Sequence, residues 1–134
     1  MDNAILKVRN SVKGTGRVPG FVQNFCRERG IPDSVSADIC IVLDELLPSL
    51  VPITSSPRIR VEIEVEADCL KVSVIQSGEG YDISVPGTVC WPQNAPEARI
   101  SDLSLHLIHS LINELTCTRI NEDNITVFTK KCRA

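Results

Sequence analysis

The sequence predicts a two-layer α/β sandwich, with helices packed on one face of a mixed, mostly antiparallel sheet. Residues 58–65 alternate apolar and charged without a break, the period of a strand with one buried face. Residues 35–50 and 103–115 carry apolar side chains at three- and four-residue intervals, the period of helices with one buried side. Along the chain the order is strand, helix, helix, strand, strand, long loop, helix, strand, strand, which suits helices gathered on one side of a sheet.

An opening strand is expected over residues 4–12, from Ile5, Leu6 and Val8. Gly14, Gly16 and Gly20 interrupt it. A helix is then expected from about Pro19, where a missing amide proton costs nothing in the first turn. Val18, Phe21, Val22 and Phe25 form its apolar face, and Gly30 stops it. Asp33 or Ser34 can cap the next helix, whose stripe is Val35, Ile39, Val42, Leu46 and Leu50, widened by Leu43 and Leu47. Pro48 removes an amide donor and crowds the carbonyl of Asp44, so a kink or early end is expected.

Ile59, Val61, Ile63 and Val65 then face one way, and Arg58, Arg60, Glu62 and Glu64 the other. A turn at Glu66–Asp68 leads into a second strand with Leu70, Val72 and Val74 inward, and the two strands are expected to pair antiparallel. Residues 76–100 are irregular and rich in Gly and Pro. So long a connection reads either as a lid or binding loop or as a plain exposed loop. A helix capped by Ser101 or Asp102 follows, with Leu103, Leu107, Leu111 and Leu115 as its stripe and Ile108 and Ile112 beside it. A hairpin turning at Asn121–Asn124 closes the chain.

The 134 residues are the usual size of one domain, so a single domain over 1–134 is expected. An apolar fraction of 43% with 23% charged residues excludes general disorder. No apolar run approaches the ~20 residues that span a bilayer, and the opening stretch does not read as a signal peptide. A cytoplasmic location without membrane attachment is expected.

Charge is uneven. Residues 1–29 hold six basic groups (Lys7, Arg9, Lys13, Arg17, Arg27, Arg29) against Asp2 and Glu28, although the net charge of the chain is −3. A nucleic-acid binder concentrates more positive charge than this. A basic rim facing an acidic protein partner, or a solvated surface, fits better. Six cysteines stand at 26, 40, 69, 90, 117 and 132, without a C-x-x-C pair. That spacing argues against zinc; three disulfides could form in an oxidising compartment, but Cys26 and Cys40 fall within apolar helix patterns and the opening stretch does not read as a secretion signal, so reduced, structural thiols are expected. His106 and His109 could meet on a helix face, but no third metal ligand is evident beside them.

Local patterns in the segments ICIVLDELLPSLV (residues 39–51), VIQSGEGYD (74–82), ISDLSLHLIHSLINEL (100–115) and TRINEDNITVFTK (118–130) resemble the small anti-sigma-factor serine kinases of bacterial partner-switching systems. These belong to the histidine-kinase-like, or Bergerat-fold, ATPases. The resemblance covers about Phe21 to Lys130. It implies that Glu45 matches the family's general base, a role suited to a carboxylate. Ser49 stands where the family has an asparagine that holds magnesium, Gln76 where it has an aspartate that accepts from the adenine amino group, and Gly78 and Gly80 match its glycine pair. Ser101, Asp102 and Ser104 replace the glycines that wrap phosphate at a helix start. Asp102 adds a negative charge there, which Arg99 could offset.

The resemblance therefore implies a regulatory protein-binding module, an anti-sigma factor with weak or lost binding of ATP and Mg. Its partner would be a sigma factor or an anti-anti-sigma protein, and it would form a homodimer. An active ATP-dependent protein-serine kinase with Glu45 as base is the first alternative. A structural or assembly domain is the second.

Overall fold

The structure, a computed structural model, describes residues 2–132; residues 1, 133 and 134 of the expected 1–134 domain lie outside the described residues. Helices cover one face of a five-stranded sheet of order β1-β2-β3-β5-β4, the two-layer sandwich that the sequence predicts. Its strands are β1 (Asn3–Arg9), β2 (Arg58–Glu66), β3 (Cys69–Ser77), β4 (Glu114–Ile120) and β5 (Asp123–Lys131). Each neighbouring pair runs antiparallel.

The alternation of the sequence becomes the two faces of the sheet. Ile59, Val61 and Ile63 of β2 and Leu70, Val72 and Val74 of β3 are buried beneath the helices. Arg58, Arg60, Lys71 and Ser73 stand on the open face. In β5 the same alternation buries Asn124 and Thr126 as well as Phe128, so one end of the covered face is polar.

Four helices cover the sheet: α1 (Val12–Thr15), α2 (Val18–Glu28), α3 (Asp33–Leu50) and α4 (Asp102–Leu111). The expected opening strand over 4–12 ends at Arg9, because Ser11 accepts from the amide of Gly14 and caps α1. Pro19 lies in the first turn of α2, and Gly30 adopts the left-handed φ of +68° that ends that helix. Neither Asp33 nor Ser34 caps α3. Pro32 occupies that position without a side-chain hydrogen bond, and Asp33 already belongs to the first turn.

Pro48 does not end α3, which continues to Leu50 and tightens into a 3-10 turn at Val51–Ile53. Pro48 itself is exposed, while Leu46, Leu47 and Leu50 are buried. Burying side chains of that size contributes roughly 1.5–3 kcal/mol each, comparable to the ~3 kcal/mol penalty of an interior proline.

The stripe expected for the last helix is also corrected. Leu103 is 77% exposed, and Leu105 and Ile108 are the side chains that α4 buries. Leu115 belongs to β4. Lys130 fixes the far end of α4: its Nζ donates to the carbonyl of Leu111 at 2.8 Å and pairs with Asp38 of α3 at 2.8 Å. Among the described residues no helix is long and apolar enough to cross a membrane.

Candidate functional site

The candidate residues lie on α3, the β3 end, the loop after it and the start of α4. Glu45 sits half-buried in the C-terminal third of α3. Its Oε1 accepts from Ser104 Oγ at 3.1 Å. Ser104 Oγ in turn accepts from Ser101 Oγ at 3.0 Å, and Ser101 Oγ accepts from the Ser104 amide at 3.1 Å. Each serine hydroxyl has one proton to give, so the chain runs one way and ends on the carboxylate. Ser101 is therefore the N-cap of α4, as one of the sequence alternatives has it, and Ser104 is the strut between α4 and α3.

Asp102 points its charge at Arg99, with Nη2 to Oδ1 at 3.4 Å. The same guanidinium donates to the carbonyl of Ile100 at 3.1 Å. Asp44 precedes Glu45 on α3, and burial, then the neighbouring Glu45 charge, raises its pKa. Ser49 is half-buried one turn beyond Glu45, which places both on one side of the helix.

Gln76 is the last inward residue of β3 and only 2% exposed. Its Nε2 donates to Thr54 Oγ1 at 3.0 Å, and Thr54 Oγ1 donates to the Leu50 carbonyl at 2.7 Å. With its only proton on Leu50, the Thr54 hydroxyl can only accept from Gln76. That fixes the amide orientation and leaves Gln76 Oε1 buried and, among the described residues, without a partner.

The glycine pair performs two separate packing tasks. A Cβ at Gly78 would stand 2.2 Å from the Ile53 carbonyl oxygen, because the chain bridges Thr54 at this point. A Cβ at Gly80 would meet only the Arg119 side chain, nearest at 3.3 Å. Arg119 Nη1 donates to Asn124 Oδ1 at 3.0 Å, and Asn124 Nδ2 donates to the Glu79 carbonyl at 2.9 Å. Ser55, Gly78, Glu79, Arg119 and Glu122 line an open cleft of about 430 Å³.

The segment between β3 and α4 is tied down. Tyr81 hydrogen-bonds through its hydroxyl to Thr126, and burial drives its pKa far above the usual phenol value. Its ring meets Trp91 with centroids 5.3 Å apart, and Ile83 and Ile100 are fully buried. Asp82 is held below the usual carboxylate range by the hydroxyl and amide of Ser84. His109 Nε2 lies 2.8 Å from the Ile83 carbonyl, so it secures the loop, while His106 is exposed. Among the described residues no group of His, Cys, Asp and Glu is placed to hold a metal ion.

Sequence reasoning missed Thr54, Arg119 and Asn124, which set the surroundings of Gln76 and Gly80. Asn124, expected in the closing turn, instead lies on the inward side of β5, which begins at Asp123.

No protein-family model matches the chain, and no curated protein does. Among solved structures, the chain is similar to the crystal structure of the RsbU and RsbW domains of Rv1364c from Mycobacterium tuberculosis. The TM-score is 0.69 at 15% identity, over 96% of this chain and 32% of that one. The chain thus spans about a third of that protein's length. At this identity the likeness is one of fold, and the sandwich is consistent with the histidine-kinase-like ATPase fold.

Proposed function

We propose that the chain is a regulatory protein-binding module of the anti-sigma, partner-switching kind, in which ATP binding is weak or lost. The likeness to a structure containing an RsbW domain supports the regulatory class. The observation that carries the second half is the Ser101–Ser104–Glu45 hydrogen-bond chain.

ATP and magnesium fit these residues poorly. At the base end, Gln76 Oε1 is an unpartnered acceptor of the right kind, but it is neutral and almost wholly buried. At the phosphate end, side chains of Ser101, Asp102 and Ser104 stand at the start of α4, with Ser104 braced against Glu45. Asp102 opposes phosphate, and its neighbour Arg99 is already engaged with it. Ser49 offers a hydroxyl of short reach for a cation that demands near-ideal octahedral geometry. Partner specificity then resides in the exposed faces of the fold, and the partner class is a sigma factor or an anti-anti-sigma protein.

Calorimetric titration with ATP, with and without magnesium, tests the first part. No saturation below about 1 mM is expected; a micromolar constant, about −8 kcal/mol, would overturn it. Pairwise binding against the sigma factors and anti-anti-sigma proteins of the source genome tests the second. A complex indifferent to ATP is expected, and a panel without any complex would reject the partner class.

A further inference from the structure

One end of the open sheet face gathers cations, most of which have no ion-pair partner among the described residues. Lys7 and Arg9 of β1 stand directly opposite Arg60 and Arg58 of β2 in the strand register. Arg60 is taken up by Glu62. Among the described residues no carboxylate lies within 4.0 Å of a charged nitrogen of Lys7, Arg9, Lys13, Arg17 or Arg58. These five, with Ser11 and Gly14, line a cleft of about 420 Å³.

The backbone holds the cluster in place. A Cβ at Gly14 would stand 2.2 Å from the Arg9 carbonyl oxygen, so α1 lies directly on the end of β1 and brings Lys13 to the cleft that Arg9 also lines. Asn10 ties the end of β1 to the chain before β2, its backbone amide donating to the Pro57 carbonyl at 2.9 Å and its Nδ2 to the Thr54 carbonyl at 3.1 Å. Like charges directly opposite across a strand pair are destabilising. The isolated fold therefore bears a repulsion that a bound anion would relieve.

We infer that this cleft is a docking site for an extended acidic segment of a protein partner, with carboxylates on alternate residues. The inference rests on the protein-binding reading above. Side chains two residues apart on an extended chain are about 6.6–6.8 Å apart, the spacing of Lys7 and Arg9 along β1. Ile5, 51% exposed, continues the same face, so an apolar partner residue two positions beyond the carboxylates would cover it. A long polyanion suits the face less well. Glu62 and Glu64 follow on β2, the whole chain carries −3, and the positive region stops after one end of the sheet.

The probe is a fluorescent peptide in which glutamate alternates with threonine, read by anisotropy. Its glutamine counterpart, a single-stranded oligonucleotide of equal charge and pyrophosphate serve as comparisons. The glutamate peptide is expected to bind at about 0.01 M salt and to weaken by at least about ten-fold at 0.15 M, as the Debye length falls from about 30 to 8 Å. Lys13→Glu with Arg17→Glu is expected to weaken it at least about ten-fold, and Lys131→Glu, outside the cleft, to leave it within about two-fold. Arg58→Gln is expected to weaken the peptide while raising Tm by about 1–3 °C, because it removes one member of a repelling pair.

No binding at low salt, equal binding of the glutamine peptide, indifference to both sets of cleft variants, or tighter binding of the oligonucleotide or pyrophosphate would each overturn the inference. A sigma-factor complex untouched by the cleft variants would do so while leaving the protein-binding reading intact. Peptide binding together with micromolar ATP binding would instead uphold the cleft and remove the proposed loss of ATP.

Discussion

Ser104 Oγ donates to Glu45 Oε1 at 3.1 Å, joining two residues 59 positions apart and bracing the start of α4 against the C-terminal third of α3. The contact gives Glu45, the residue matched to a general base, a hydrogen-bond donor from α4. It also puts a side chain where a glycine would leave the helix start open.

The brace has a measurable strength. Ser104→Ala is expected to lower stability by about 0.5–1.5 kcal/mol, the net worth of one hydrogen bond. Ser101→Ala removes both the N-cap and the donor to Ser104, and is expected to cost about 0.5–2 kcal/mol. In a double-mutant cycle with Glu45→Gln, read by urea denaturation, Ser104→Ala should couple by about 0.5 kcal/mol or more. Additive effects would show that Ser104 and Glu45 do not communicate.

The two glycines of the β3 loop should separate cleanly. At Gly78 the obstacle is the Ile53 backbone oxygen, 2.2 Å from an added Cβ, and backbone cannot yield without breaking the bridge to Thr54. Gly78→Ala is expected to cost roughly 2–4 kcal/mol. At Gly80 the neighbour is the flexible Arg119 side chain, so Gly80→Ala is expected to stay within about 0.5–1 kcal/mol of the parent. Equal losses in denaturant melts would contradict this division.

The layers of the fold were legible because periodicity reports burial directly, as in Ile59, Val61 and Ile63. The face of α4 was not. Apolar residues stand on several sides of this helix, and the stripe drawn through Leu103 lies on its exposed side, whereas Leu105 and Ile108 are the buried residues. The family resemblance placed Glu45 and Gln76, but their contacts bring together Ser104 and Thr54 from 59 and 22 residues away, and one strand of sequence holds no such information. The basic excess of residues 1–29 was visible, yet Arg29 turns away to lie 3.7 Å over the Phe25 ring. Arg58 joins the cluster only through the β1–β2 register.

Gln76 offers a test of its orphaned oxygen. In Gln76→Met, the Thr54 hydroxyl loses an incoming hydrogen bond but keeps its donation to Leu50. A buried acceptor without a partner disappears at the same time, so stability is expected to change by less than about 1 kcal/mol. Gln76→Glu should behave oppositely, since Thr54 has no second proton to offer a carboxylate. Burial raises such a carboxyl above its unfolded pKa of about 4.3. The penalty is then absent below that value and grows as pH rises toward the folded pKa, reaching roughly 2 kcal/mol or more at neutrality. Melting at about pH 4 and pH 7.5 reads the difference, and a gap independent of pH would reject the burial of this position.

Cys26 is 1% exposed, and its pKa is pushed up to about 11, first by burial and then by Cys132 and Cys40. Burial also raises Cys40 and Cys117. An unfolded thiol loses its proton near pH 8.5, so between that value and about 11 the folded chain holds protons that the unfolded chain has released. The contribution of Cys26 to stability is therefore full below about pH 8.5 and falls as pH rises toward about 11, by about 1.4 kcal/mol per unit. Cys26→Ala should flatten the alkaline slope by about that amount, even though the smaller side chain lowers stability at neutral pH. Urea midpoints collected from about pH 7 to 10.5 decide the matter, and an alkaline slope unchanged by Cys26→Ala would mean that this thiol titrates alike in both states.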